Sequence, residues 1–157
     1  MTTPAATPIH APLAGRVSAL ADVPDPVFAE GIMGEGAAIE PPDAVIDVVA
    51  PVSGTLLKVL PHAFVILTPA GWGVLVHLGI DTVRLEGAGF TVHVTQGDEI
   101  EAGAPVVTYD VPAVRAAGVA TVVPVVPLEH TGAVALAEGL SPGDDVTPGS
   151  PFLTLTA

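Results

Sequence analysis

Ala11-Pro12-Leu13-Ala14-Gly15-Arg16-Val17 is echoed by Ala50-Pro51-Val52-Ser53-Gly54-Thr55-Leu56 at an offset of 39 (50 − 11). Further along, Gly97-Asp98-Glu99-Ile100-Glu101-Ala102-Gly103-Ala104-Pro105 is echoed by Gly143-Asp144-Asp145-Val146-Thr147-Pro148-Gly149-Ser150-Pro151 at an offset of 46 (143 − 97). Each unit pairs a glycine, able to supply positive φ at a turn, with a strand-like run. The pattern predicts a β fold of two related halves packed together. Only two copies of each unit occur and the offsets differ, which is not the signature of a solenoid. Gly-Asp turns also recur in β proteins without duplication, so the turn echo alone leaves that reading open.

The runs between the echoes agree with a β fold. Val45–Val49, Thr55–Leu60, Ala63–Thr68, Val74–Leu78, Phe90–Val94, Val106–Tyr109 and Phe152–Leu155 are short, rich in Val, Leu and Thr, and bounded by turn residues. Helix signals are confined to 111–117, with Pro112 near its start and Gly118 after it, and to a short turn within 27–32. The 17 glycines and 17 prolines punctuate apolar runs instead of forming low-complexity blocks, as expected of many tight turns. Half of the 157 residues are hydrophobic and only 4% aromatic, so the core must be aliphatic. The length fits one domain, 1–157.

Composition also excludes function classes. No apolar run reaches the 18 residues or so of a membrane span, and the N-terminus lacks a basic start and apolar stretch, so a cytoplasmic protein is expected. The absence of cysteine removes disulfides, thiolate zinc sites and a cysteine nucleophile. The net charge of −13, with Arg16, Lys58, Arg84 and Arg115 as the only basic residues, rules out nucleic acid and opposes anionic membrane. A basic partner would suit it; so would a merely well-solvated surface.

Among the histidines, His77 lies in Gly73-Val74-Leu75-Val76-His77-Leu78-Gly79-Ile80-Asp81. Period two puts Val74, Val76, Leu78 and Ile80 on one strand face and Leu75, His77 and Gly79 on the other. The glycines leave room for a partner to approach the imidazole. Taken alone, the pattern fits a hydrogen-bonded histidine on a half-exposed face better than it fits a reactive one.

Resemblance changes the balance. The run 75–83, followed by Leu85, Gly87 and Gly89-Phe90, resembles the phosphorylation-site signature of the glucose-family IIA components of the sugar phosphotransferase system. His62-Ala63-Phe64 matches the family's second histidine, and Val23-Pro24-Asp25-Pro26-Val27-Phe28-Ala29-Glu30 with Met33-Gly34-Glu35-Gly36 is similar to another of its segments. Ala50–Thr55 and the Gly97-Asp98 turn fall in the expected order. The resemblance covers about residues 9 to 155.

It implies an all-β fold: an antiparallel β-sandwich of duplicated hybrid-motif type, with one or two short helical turns. It implies a phosphocarrier in which His77 accepts a phosphoryl group from phospho-HPr and passes it to the IIB domain of a IIB/IIC sugar permease. His62 would donate a hydrogen bond to the phosphoryl oxygens, Nδ1 of His77 would be held by a backbone carbonyl and Nε2 would react. Asp81 is carried over as a secondary contributor; four residues along an extended strand is too far for contact unless the chain turns at Gly79. Val27, Phe28, Ile32 and Leu75 are candidates for an apolar docking patch. Regulatory targets such as transporters or kinases are further partners that the family suggests, and the membrane would be met only through the permease. No cofactor and no resident metal are expected, although His62 and His77 can take up adventitious zinc. One departure stands out: where the family usually has Thr two residues before the second histidine, this chain has Leu60.

A purely regulatory binding protein, responding to its phosphorylation state, is an alternative that does not exclude the carrier role, and two further rivals are weighed by chemistry. A zinc hydrolase could use His77 and Asp81, but a third ligand is not assignable. A swinging-arm carrier needs a lysine at an exposed hairpin tip, and Lys58 lies inside a strand-like run. His10, His93 and His130 match no functional position and are read as surface histidines.

Overall fold

The two echoes meet each other in space. The structure, a computed structural model, describes residues 7–31, 34–128 and 133–156. The strand beginning at Gly15 pairs with Asp145-Val146, and the strand beginning at Gly54 pairs with Glu99-Ile100, so the first repeat of one kind always meets a repeat of the other. Matching backbone bonds recur at matching positions. Val17 N–H donates to the Asp144 carbonyl and Leu56 N–H to that of Asp98, both at 2.8 Å. In return, the Gly143 and Gly97 N–H groups donate to Val17 and Leu56, again at 2.8 Å. Both repeat glycines are needed for close approach: a Cβ at Gly15 would strike the Glu40 carbonyl oxygen, and one at Gly54 that of Leu67.

In chain order the elements are β1 (Thr7–His10), β2 (Gly15–Ala19), α1 (Pro26–Ala29), β3 (Ala37–Glu40), β4 (Val45–Val49), β5 (Gly54–Leu60), β6 (Ala63–Leu67), β7 (Gly73–His77), β8 (Phe90–Val92), β9 (Glu99–Ile100), β10 (Pro105–Asp110), α2 (Val111–Ala116), β11 (Val123–Leu128), β12 (Ala133–Leu136), β13 (Asp145–Val146) and β14 (Pro151–Thr156). All pairings among them are antiparallel. An eight-stranded sheet runs β13-β2-β3-β11-β7-β6-β5-β9, and two three-stranded sheets run β1-β14-β12 and β4-β10-β8. The large sheet's order is the same read from either end, with β2-β3 answering β5-β6 and β11 answering β7. The fold is the antiparallel duplicated sandwich expected, with two short helices, one at 26–29 and one at 111–116. Among the described residues no helix is long and apolar enough to cross a membrane.

Seven of the strands lie where Val- and Leu-rich runs predict them. β11 does not, because Pro124 and Pro127 argue against an interior strand. Alternation explains how they fit. Gly79 N–H donates to the Val122 carbonyl, so Val122, Pro124 and Val126 aim their backbone at β7, and Val123, Val125 and Pro127 aim theirs at β3. Pro124 therefore falls opposite His77, one step past the paired Val125 and Val76. Pro127 faces beyond the last β3 pair, Val125 with Ala37. Each missing N–H comes at the end of a ladder.

The main core lies on one face of the large sheet and includes Ile39, Leu56, Phe64, Ile66, Val76 and Phe152. A smaller cluster of Leu20, Phe28, Ala63, Leu75, Ile80 and Val126 covers the other face. Val74, Val76 and Leu78 go to the main core and Leu75 to the smaller one, as period two predicts. Ile80 departs from that alternation. The chain turns at Gly79, where φ is 82°, and this moves Ile80 to the smaller cluster.

Candidate functional site

β7 ends at His77, and the hairpin between β5 and β6 brings His62 next to it. Register places Ala63 opposite His77, and the Leu78 N–H donates to the His62 carbonyl at 2.7 Å. The two imidazoles meet edge to face, with centroids 5.3 Å apart and planes at 71°. Phe28 also lies against His77, with ring centroids 5.4 Å apart. Its helix α1 is short, so its ends matter: the Asp25 carboxylate caps it by accepting from Val27 N–H at 2.9 Å, and Pro26 opens it.

The turn after β7 fixes the tautomer of His77. Nδ1 lies 2.6 Å from the Gly79 carbonyl oxygen. A carbonyl can only accept, so Nδ1 carries the proton and donates it, leaving Nε2 with a free lone pair in the neutral ring. Gly79 needs positive φ to make this turn, and a Cβ there would lie 2.5 Å from Thr82 Cγ2 and 2.7 Å from the Ala120 carbonyl oxygen. Thr82, fully buried, secures the next step by donating its hydroxyl to the Leu78 carbonyl at 2.8 Å.

Burial holds the pKa of His77 below the usual histidine value; the Gly79 hydrogen bond and the charges of Asp25 and Asp81 oppose this without reversing it. His62 is lowered too, first by burial and then by His77. Both rings are therefore neutral at pH 7. An open cavity of about 350 Å³ exposes them, lined also by Asp25, Val27, Leu60 and Lys58.

The residues singled out in the sequence fall as follows. His62 and His77 are adjacent; Asp81 follows the Gly79 turn and acts on His77 through its charge, without lining the cavity. Of the docking candidates, Val27 is 41% exposed on the cavity rim, while Phe28 and Leu75 are nearly buried and line the cavity. Ile32 lies outside the described residues, as does His130. Leu60 is 40% exposed and also lines the cavity. His93 is exposed, its Nε2 2.7 Å from Thr108 Oγ1. His10 is partly exposed at the wall of an open cavity, and its Nδ1 is buried without a hydrogen-bond partner among the described residues. Asp25 was missed as a site residue, although the Asp-Pro pair announces a helix cap. Among the described residues no group of three or more His, Cys, Asp or Glu side chains is placed to hold a metal ion.

Residues 7–132 match the model of the family described as phosphoenolpyruvate-dependent sugar phosphotransferase system, EIIA 1. The chain is 46% identical over 120 residues to a PTS system glucose-specific EIIA component of Halalkalibacterium halodurans, covering 75% of this chain and 68% of that protein. It is 54% identical over 106 residues, 66% of this chain, to a PTS system glucose-specific EIICBA component of Streptococcus pneumoniae, of which it spans 14%. A PTS system beta-glucoside-specific EIIBCA component of Bacillus subtilis is 42% identical over 120 residues, covering 75% of this chain and 19% of its own length. Among solved structures, the glucose permease IIA from Mycoplasma capricolum superimposes with a TM-score of 0.86 at 36% identity, over 96% of each chain.

Proposed function

The chain belongs to the EIIA 1 family of the phosphoenolpyruvate-dependent sugar phosphotransferase system, and on that footing we propose that it is a phosphocarrier with His77 as its acceptor. It takes a phosphoryl group from the phosphohistidine of HPr and gives it to a cysteine of a IIB domain. The observation that carries this reading is the 2.6 Å bond from Nδ1 of His77 to the Gly79 carbonyl, which leaves Nε2 bare toward a cavity shared with His62.

In the first transfer the Nε2 lone pair attacks phosphorus, the bond to the donor nitrogen breaks, and the donor ring keeps that electron pair. No proton moves on His77. Its ring gains positive charge as the new bond forms, and the Gly79 carbonyl with Asp25 and Asp81 favours that charge. His62 donates a hydrogen bond to the phosphoryl oxygens, and Lys58, which lines the same cavity, adds positive charge. The loose transition state of such transfers leaves positioning and charge balance as the protein's main tasks.

Exposed Val27 and Leu60 at the cavity rim, over Phe28 and Leu75, suit a protein partner that buries an apolar contact. The charge of −13 suits a basic one such as HPr. The names of two relatives join the A component with B and C components, which supports a IIB/IIC permease as the receiving partner. In this reading the chain acts in the cytoplasm as a single EIIA domain over about residues 9 to 155.

The test incubates the protein with Enzyme I, HPr and labelled phosphoenolpyruvate. Acid-labile, base-stable label is expected, abolished in His77→Ala. His62→Ala should accept label but not pass it to IIB. Label surviving in His77→Ala would remove His77 from the role.

A further inference from the structure

The carbonyl that orients His77 is itself held from behind, by groups that never reach the cavity. The segment Ala120-Thr121-Val122 runs beside the Gly79 turn. Val122 accepts from the Gly79 N–H at 3.1 Å and Ala120 from the Ile80 N–H at 2.9 Å, so two consecutive amides of the turn hang on this segment. Between those two carbonyls, Thr121 points the other way and is gripped twice. Its carbonyl accepts the hydroxyl of fully buried Tyr109 at 2.9 Å. Its own hydroxyl donates to Glu40 Oε1 at 2.8 Å and accepts from Arg115 Nη2 at 3.1 Å. Arg115 closes the triangle on Glu40 at 3.3 Å and is anchored to Asp43 at 2.8 Å.

We propose that Thr121, fixed by Glu40 and Arg115, is a positioning residue for phosphoryl transfer, setting the Gly79 carbonyl and through it the tautomer and aim of His77. This rests on His77 being the acceptor, but its physical claim concerns the ring's state and needs no phosphoryl donor to be tested. Thr121 is 3% exposed, yet Glu40 and Arg115 stand at the surface with side chains nearly half exposed, at the wall of an open cavity of about 420 Å³. The triangle's worth is therefore in geometry more than in stability, since exposed ion pairs contribute little. Relaxing the segment frees the Gly79 carbonyl to turn away, and Nδ1 of His77 then loses its only acceptor among the described residues. An unanchored ring exchanges its proton between the two nitrogens, and Nε2 spends part of its time protonated and unreactive.

The experiment uses the full chain with ¹⁵N-labelled histidine and reads the His77 ring nitrogens by long-range ¹H–¹⁵N spectroscopy, beside the rate and KM of labelling from phospho-HPr. The wild type should show Nδ1 protonated and Nε2 bare. Thr121→Val should average the two nitrogens and slow labelling by about tenfold with KM nearly unchanged, because misplacement costs rate more than docking. Thr121→Ser, which restores the hydroxyl, should recover both. Glu40→Gln, at the surface, should give the same change in smaller measure and decides the matter if Thr121→Val does not fold. Folded variants of both positions with a wild-type ring and rate would overturn the proposal. A wild type that takes no label but shows the tautomer responding to Thr121 would fail the phosphocarrier reading while leaving this one standing.

Discussion

His77 and Val126 occupy equivalent positions in the two halves of the large sheet. Ile39 and Ile66 flank the equivalent glycines Gly15 and Gly54, and they pair with Val123 and Val74 respectively, so the halves are offset by 49 (123 − 74) across β11 and β7. Position 126 thus corresponds to 77 (126 − 49). By the same register Glu35 corresponds to His62, through the offset of 27 (66 − 39) between β3 and β6. Val126 is fully buried, so where one half presents an imidazole the other packs an aliphatic side chain.

The first prediction follows from that asymmetry. Labelling of the protein by phospho-HPr should saturate at a single phosphoryl group per chain despite the doubled architecture. Intact-mass spectrometry under basic conditions, where phosphohistidine survives, checks the stoichiometry; two groups per chain would contradict it.

Acid should cost both stability and acceptance. Burial lowers both site histidines from the reference value of 6.5, so between that value and their folded values the unfolded chain binds more protons than the folded one. Stability therefore rises with pH across this window, is fully present above about 6.5, and is lost as pH falls through the folded values. Melting temperature should drop from pH 7.5 to pH 5.5, and less steeply in a variant with both histidines replaced by glutamine. The rate of labelling at fixed donor should hold level down to a pH below 6.5, since Nε2 stays unprotonated.

Gly79→Ala and Gly118→Ala should separate crowding from strain. Both glycines have positive φ, 82° and 85°, but only Gly79 has neighbours in the way of a Cβ. Gly118→Ala should cost about 1 kcal/mol, the price of the left-handed backbone. Gly79→Ala should cost at least about 2 kcal/mol more and lower phosphoryl acceptance, because Thr82 and the Ala120 carbonyl must shift. Chemical denaturation of the two variants side by side tests the difference.

Val27→Ser and Leu60→Ser should weaken docking while leaving the fold intact, because both side chains are about 40% exposed. Losing the burial of either on complex formation is worth about 1 kcal/mol, or some fivefold in KM for phospho-HPr. A fall in kcat with KM unchanged would place these residues in the transfer step instead.

Much of this was legible in the chain, for reasons that differ by residue. The duplication shows in sequence because Gly15 and Gly54 each let one strand's backbone press on another, a demand no other residue meets. His62 and His77 announce themselves only as members of an ordered set of motifs; strand periodicity gives His77 no distinction. The site's remaining parts depend on the turn at Gly79. Alternation carried past that residue puts Ile80 on the wrong face and Asp81 out of reach, since a positive φ cancels period two. β11 is not marked in the sequence, because a strand interrupted by Pro124 and Pro127 lacks donors, and nothing in the one-dimensional pattern says where each missing donor falls. Asp25 was visible as a cap but not as a charge beside His77, which needs the packing of α1 against β7.

Pro124 also acts as a ratchet. A strand with free N–H groups throughout could slide by two residues along β7 and keep its faces and nearly all its bonds. β11 has no such freedom toward its C-terminal end, for the slide that carries Pro124 into the ladder sets a residue without a donor against a carbonyl that needs one. Strand alignment in this sheet is thereby enforced by a penalty for error, and the alignment so guarded is the one that sets Val122 beside Gly79 and leaves His77 at the open end of its strand.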